Sequence, residues 1–347
     1  MTERNEFTVH HLRFEVEALT PLLLAAHAGP SIRGALWGAL QRHFCPASQG
    51  EMPDAAHKAI CPVCWLMATD KPGYRTGRDV PRPYAVAPPL ADEGGPWRPW
   101  RFVPGQRFAF GFTLFAEALN LFPYLVVAMP LMGQGGMGIP LEENGSRPGE
   151  RRRGQLALRR IEAVNPLTGA VAQVMGEGQT MVQMPGVPVT ARDVEAAAQA
   201  LGKELGSDGR VQIRFRTPMR LVEQGKLVKR PWPGPLFRRL LERLDALRGE
   251  YAGEPPVAQG ERERLVALAD SVRLVQDFTQ WIDLKSGSRR LGRTTPVGGF
   301  VGVATYQAAR ETWDELLPYL VWGQEVHVGK SATKGDGWYE VRVIKGA

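Results

Sequence analysis

From His10 to Leu19 polar and apolar residues alternate, with Leu12, Phe14 and Val16 on one face, the period of a half-buried strand. A Gly-Pro break follows, and Ser31–Cys45 then changes to helical spacing. Leu36, Leu40 and His43 share one stripe, and the small residues Gly34, Ala35, Gly38 and Ala39 allow close packing on a sheet. Residues 70–105 are rich in Pro, Arg and Trp and show no period, which predicts a long irregular excursion. Alternation returns from Gln106 to Ala118 with Phe108, Phe110, Phe112 and Leu114. Phe122–Met132 then reads as a helix running into the glycine turn Gly133–Gly138. Residues 150–164 read as a strand with a basic approach, and Val194–Leu205 as a helix.

The order begins again at Val211, where Val211, Ile213 and Phe215 point inward and Gln212, Arg214 and Arg216 outward. A strand over 211–217, a helix over 235–248, a helical stretch over 262–282, a strand over 297–306, a helix over 312–321 and a strand from Trp338 to Ile344 follow. Strand, helix, strands, helix, strand, given twice, predicts an α+β protein of two packed ferredoxin-like, RRM-like βαββαβ domains. The boundary falls near 205–210. It separates an N-terminal domain, 1–207, carrying a Cys-containing insertion at about 45–105, from a C-terminal domain, 208–347, that ends in a glycine-rich loop.

Composition narrows this picture. The 347 residues suit two domains, and 39 Gly with 28 Pro call for many ordered turns. The longest apolar run, Leu121–Met132, is short of a membrane span and contains Pro123 and Pro130, and the first residues show no secretory pattern. A cytoplasmic protein without a membrane partner is expected. Three cysteines, all between residues 45 and 64, do not make a disulfide framework. The net charge is +7, and 34 of the 43 basic residues are Arg, the side chain suited to bidentate phosphate contacts and base stacking. Arg147–Arg160 holds six Arg and one acid, and residues 206–250 hold eleven basic against five acidic groups. Such a balance fits a nucleic-acid partner, or a solvated surface shaped by an Arg-rich codon bias.

Three groups could carry chemistry. Gly329-Lys330-Ser331 resembles a phosphate loop only in part: the spacing from Gly323 is one residue too long, and a strand follows Gly337 where a nucleotide-binding loop needs a helix. What remains is a loop, His327–Tyr339, whose glycine-exposed N–H groups and two lysines could receive a phosphodiester chain. Cys45, Cys61 and Cys64, with His43 or His57 as fourth ligand, offer a closed tetrahedral zinc site, structural because no coordination position is left open; the alternative is three unligated thiols. The six histidines supply candidates for a general base, while no Ser-His-Asp spacing, His-Glu-x-x-His or carboxylate cluster points to a protease or a hydrolytic metal.

Several stretches taken in order resemble one family. Gly29-Pro-Ser-Ile-Arg-Gly-Ala-Leu-Trp-Gly-Ala-Leu before Cys45 and Cys61-Pro-Val-Cys64, Phe110–Leu114 before the turn at Gly135–Gly138, Phe215-Arg-Thr-Pro-Met-Arg-Leu, Gly298–Gly302, and His327-Val-Gly-Lys through Gly337 are similar to the CRISPR-associated endoribonucleases that process precursor crRNA, the Cas-six family of the RAMP superfamily. The resemblance implies tandem ferredoxin-like domains and cleavage of CRISPR repeat RNA without a catalytic metal, the ribose 2′-OH attacking the adjacent phosphate to leave 2′,3′-cyclic phosphate and 5′-OH ends. It implies a histidine in or beside the first helix. His43 fits best, then His27, then His327 on the glycine loop, and zinc ligation by His57 leaves His43 available for catalysis. Arg33, Arg214, Arg216, Arg238, Arg239, Gly329, Lys330, Ser331, Lys334, Gly335 and Gly337 become the expected RNA contacts. One departure is that Lys334 and Asp336 stand where the family loop carries an aromatic and an aliphatic residue. Asp336 is expected to repel phosphate, an effect that Lys334 offsets in part. The alternatives are a non-catalytic RAMP subunit holding crRNA beside other effector subunits, and a zinc-stabilised protein-interaction scaffold.

Overall fold

The computed structural model describes residues 6–47, 54–68, 80–90, 97–142, 150–288 and 293–344. The chain divides into two units: His10–Asn165 with Gly169–Pro188, and Val189–Ala347 with Met1–Val9 and Pro166–Thr168.

The N-terminal unit runs β1 (Val9–Ala18), β2 (Leu22–Leu24), α1 (Gly29–Phe44), α2 (Ala55–Ile60), α3 (Pro62–Ala68), β3 (Tyr84–Ala87), β4 (Trp100–Phe102), β5 (Arg107–Phe115), α4 (Phe122–Gly135), β6 (Met137–Glu142), β7 (Arg151–Gly154), β8 (Leu156–Asn165) and β9 (Ala170–Met175). Its main sheet has the order β3-β5-β1-β8-β9. Without the added edge strand β9 this is a ferredoxin-like sheet, with α1 and α4 as its two helices. The alternation read in the sequence faces Leu12, Phe14 and Val16 into the core, where Phe14 stacks on Phe110 at 6.0 Å and meets Phe112 edge-on at 5.8 Å. Ile32, Leu36, Ala39 and Leu40 form the buried stripe of α1. His43 lies off that stripe and is exposed, contrary to its expected place beside Leu36 and Leu40.

The C-terminal unit contains α5 (Ala191–Glu204), β10 (Arg210–Met219), β11 (Leu221–Glu223), β12 (Lys226–Val228), α6 (Pro233–Tyr251), α7 (Gln259–Ser271), β13 (Arg273–Ile282), β14 (Lys285–Ser288), β15 (Arg293–Pro296), β16 (Gly299–Gln307), α8 (Arg310–Val326) and β17 (Tyr339–Val343). The sheet order β13-β16-β10-β17, with α6 and α8 as crossovers, is again ferredoxin-like. Val211, Ile213 and Phe215 are buried, as are Leu240 and Leu244 of α6 and Leu317 and Val321 of α8, and Phe215 meets Phe300 edge-on at 4.9 Å. Helix α5 begins in a Thr190–Asp193 capping box and packs against α8, so it belongs with this unit.

Two elements differ from the sequence expectation. The helical stretch 262–282 is a helix only to Ser271; Arg273–Ile282 is the edge strand β13, without which the sheet would lack its fourth member. Likewise the irregular excursion at 70–105 contains β3, whose Tyr84, Ala85 and Val86 are buried beside β5. The helical stretch Ala116–Gly135 has the length and mean hydropathy of a membrane span, but Leu125, Ala128, Met129 and Met132 are buried in the N-terminal core.

The solvent face of the N-terminal sheet is a lattice of ion pairs. Glu15 accepts from Arg160 at 2.6 Å and from Arg107 at 3.2 Å, Glu17 from Arg159 at 3.0 Å, and Glu177 from Arg107 at 2.7 Å. Hydrogen bonds from Arg160 and Arg159 hold the Glu15 and Glu17 carboxyls below the usual carboxylate range. Arg159 and Arg160, which read as part of an unbalanced basic run, therefore spend their charge on this face.

Candidate functional site

Helix α1 starts with Pro30 in its first turn and ends with Arg42 and His43 in its last, after which the chain turns extended at Cys45. The Asp54 carboxylate caps α2 by accepting from the His57 N–H at 2.7 Å, and the Cys61 N–H donates to the His57 carbonyl at 2.9 Å. These local bonds aim His57, Cys61 and Cys64 at Cys45. The donor atoms of all four lie within 4.8 Å of one another. Cys45 Sγ is 3.3 Å from His57 Nε2 and 3.9 Å from Cys64 Sγ. A tetrahedral zinc with Zn–S bonds of about 2.3 Å sets its sulfurs about 3.8 Å apart, so the donors already stand at ligand spacing. The three thiols are buried, and burial together with the Cys61 and Cys45 thiols pushes Cys64 up to about 12. A divalent cation is the ordinary means of stabilising thiolates packed this closely. The fourth donor is His57; His43 is outside the cluster.

The three candidate histidines differ in their settings. His27 precedes α1 and His43 lies in its last turn, roughly 24 Å apart along a helix rising about 1.5 Å per residue. His27 is buried, with its ring 6.4 Å from that of Trp97. His327 is buried in the C-terminal unit, where Nδ1 sits 3.2 Å from the Asp336 carbonyl and the ring stacks on Trp338 at 5.7 Å. His43 alone of the three is exposed, beside Phe44, which packs edge-on against Tyr124.

The glycine-rich loop is a built backbone structure. His327, Gly329, Ser331, Gly335 and Gly337 all have positive φ. The loop is tied to the end of β10 by Lys330 N–H donating to the Arg220 carbonyl and Gly337 N–H to the Pro218 carbonyl, each at 3.0 Å, and closed on itself by Val328 N–H to the Gly337 carbonyl at 2.9 Å. The Lys330 side chain is exposed, and Lys334 and Ser331 are half-buried. Asp336 is fully buried, so its carboxylate does not front the surface where the sequence reading expected repulsion. A Cβ at Gly337, whose φ is +76°, would lie 1.8 Å from the Val328 carbonyl oxygen. Gly337→Ala is therefore expected to lower stability in urea denaturation by more than the roughly 1–3 kcal/mol of backbone strain alone. Gly225→Ala, at φ +78° in open space, supplies the strain-only control.

Most expected arginine contacts already have carboxylate partners. Arg238 donates to Glu223 at 2.5 Å and Asp270 at 2.8 Å, Arg239 to Glu242 at 2.5 Å, and Arg216 to Glu340. Arg33 reaches the Met67 carbonyl at 3.5 Å, and Arg214 lies on the sheet opposite Val303 and Glu340. Sequence reasoning passed over Arg220. Its carbonyl holds the loop and its Nη1 donates to the Gly298 carbonyl at 3.0 Å, a role whose only sequence signal is its place in Thr-Pro-Met-Arg-Leu.

With this geometry in place, the comparisons are specific. A family model described as an N-terminal domain, AF_1859_N, matches residues 7–187, and one described as CRISPR-associated endoribonuclease Cas6 matches residues 213–339. No curated protein matches the chain. Among solved structures, the product complex of Cas6 TTHB231 superposes with a TM-score of 0.55 at 16% identity, covering 96% of this chain and 99% of that one. Thermus thermophilus Cas6 (TTHB231) gives 0.53 at 14% over 96% and 98%. A chain of a partial Cas6-RT-Cas1–Cas2 complex gives 0.60 at 12%, covering 99% of this chain and 47% of that longer one.

Proposed function

We propose that the chain, whose residues 213–339 match the CRISPR-associated endoribonuclease Cas6 model, belongs to that family and cuts CRISPR repeat RNA in precursor crRNA without a catalytic metal. The observation that carries this reading is the glycine-rich loop, tied to the end of β10 with the Lys330 side chain exposed on it. The glycines let the loop pack against its own backbone, since a Cβ at Gly329 or Gly337 would meet the Arg220 or Val328 carbonyl, and the exposed lysine on this fixed loop offers a cation to a phosphodiester. In the reaction a base takes the proton of a ribose 2′-OH, whose oxygen attacks the adjacent phosphorus. The P–O5′ bond breaks, and the departing oxygen takes up a proton, leaving a 2′,3′-cyclic phosphate and a 5′-OH. His43 serves as base or acid, since its exposed ring can reach a substrate while His27 and His327 are buried. The protein acts in the cytoplasm.

The same reading includes one zinc ion on Cys45, His57, Cys61 and Cys64, supported by donor atoms at ligand spacing. Four protein ligands fill a tetrahedral shell, so the ion braces the segment after α1 and takes no part in cleavage.

Labelled repeat RNA from the host array, incubated with the purified protein and EDTA in the assay, is the direct test. A single cut ending in a cyclic phosphate is expected. Tight binding without a cut would favour the second reading, a RAMP subunit that holds crRNA among other effector subunits, which the burial of His27 and His327 also suits. Absence of salt-dependent RNA affinity would reject both in favour of a protein-interaction scaffold.

A further inference from the structure

Beyond the glycine-rich loop, the edge strand β13 and the segment before α6 carry two indoles with cations on them. Arg220, next after β10, places its guanidinium carbon 5.8 Å from the centre of the Trp281 ring, and the Lys229 ammonium lies 6.0 Å from the same ring. Arg230 sits 4.8 Å from the ring of Trp232. Trp281 is near the end of the edge strand β13, opposite Phe300, and Trp232 immediately precedes α6. Neither ring is buried: Trp281 is partly exposed and Trp232 is 45% exposed.

Hydrogen bonds hold the segments that carry these rings. Tyr306 Oη donates to the Pro231 carbonyl at 2.7 Å, Arg230 Nε to Asp277 Oδ2 at 3.1 Å, and Trp281 Nε1 to Asp283 Oδ1 at 2.9 Å. The two carboxylates are thus engaged with Arg230 and the indole N–H, and three cations stand against them. Large aromatic side chains left at a surface on a fixed frame are what a planar partner needs, because little rotamer freedom remains to be lost on binding. Arg220 links this patch to the loop: its carbonyl accepts from Lys330 N–H at 3.0 Å while its guanidinium faces Trp281. A chain whose phosphates meet Lys330 therefore passes Arg220 on its way to the indole.

We propose that Trp281 and Trp232, with Arg220, Lys229 and Arg230, form a stacking platform for unpaired nucleotides leaving the glycine-rich loop. The inference rests on the RNA-binding reading above. Stacking takes any base, since every base has a π face, and the cations follow the phosphates between them. The platform therefore supplies affinity for a single-stranded flank without reading its sequence.

The test is equilibrium binding of labelled repeat RNA, bearing its natural single-stranded flank, across a salt series. Trp281→Ala is expected to weaken binding about 5- to 150-fold, the range for losing one base stack of about 1–3 kcal/mol. The slope of log K against log salt stays unchanged, and Trp281→Phe restores most of the affinity. Trp232→Ala, at the more exposed ring, weakens binding in the same sense and guards against a folding defect. Lys229→Gln lowers the salt slope by about one. With 5-iodouridine in the flank, a photocrosslink is expected at Trp281 or Trp232. Wild-type affinity in both alanine variants, with salt-dependent binding intact, would overturn the platform alone. Loss of a co-purifying protein in those variants with RNA affinity unchanged would assign the surface to a protein partner. A wild-type protein with no salt-dependent RNA affinity would overturn the RNA-binding reading itself.

Discussion

His43→Ala is expected to lower the single-turnover cleavage rate by about two to four orders of magnitude, the usual worth of a positioned general acid or base, while leaving RNA affinity within a few-fold of wild type. The separation follows from the structure. The imidazole is exposed at the end of α1, whereas Lys330 and the loop backbone belong to the C-terminal unit and are untouched by the change. His27→Ala and His327→Ala are expected to act differently. The first leaves a gap beside Trp97, and the second removes the ring that stacks on Trp338 and braces the Asp336 carbonyl. Both changes should show first as lower melting temperatures. A His43→Ala protein that cuts at the wild-type rate would remove His43 from the chemistry, and added imidazole restoring the slow variant would support it.

The second large effect concerns the cysteine cluster. Elemental analysis of the purified protein is expected to give about one zinc per chain, and Cys64→Ala to give none. Cys64 is the most deeply buried of the three thiols, so a water molecule cannot easily replace its sulfur. Structural zinc in small peptides contributes apparent free energies of about 10–16 kcal/mol. Here the N-terminal core supplies most of the fold, and a loss of several kcal/mol in that unit is a reasonable share. Urea melts followed by far-UV circular dichroism would read the loss. A folded wild-type protein free of zinc would end the metal assignment.

Much of the architecture was legible in the chain because both sheets are half-buried, and half-burial writes a period of two. β1 and β10 show it plainly, whereas β5 alternates in the sequence but is buried on both faces from Phe110 to Phe115. β3 did not, since Tyr84–Ala87 is buried through most of its length and only four residues long, set among prolines and arginines. β13 follows α7 after a single residue, so its apolar positions prolong the helical count instead of breaking it. The cysteine cluster could be named from spacing as a candidate metal site, but the choice between His43 and His57 as its fourth member needed three dimensions: α1 carries His43 out to solvent, while His57, capped at Asp54, stands beside Cys45. Charge was least legible. Arg160 meets Glu15 from 145 residues away, a pairing that no local count of basic residues can detect.

That ion-pair lattice also bears on how the chain finds its alignment. Slipping β8 against β1 by one residue would turn Phe14 and its neighbours outward, and the apolar pattern alone forbids it. A slip of two keeps the apolar residues facing inward, so the period of two by itself does not reject it. The charges do. In the native pairing Arg13 faces Glu162 and Glu15 faces Arg160. Moving two residues one way sets Glu15 against Glu162, and two the other way sets Arg13 against Arg160, each a like-charged pair of the kind that destabilises neighbouring strands. The outer face thus acts as a proofreading device for strand alignment, rejecting the misfolded arrangements that the period of two alone would accept.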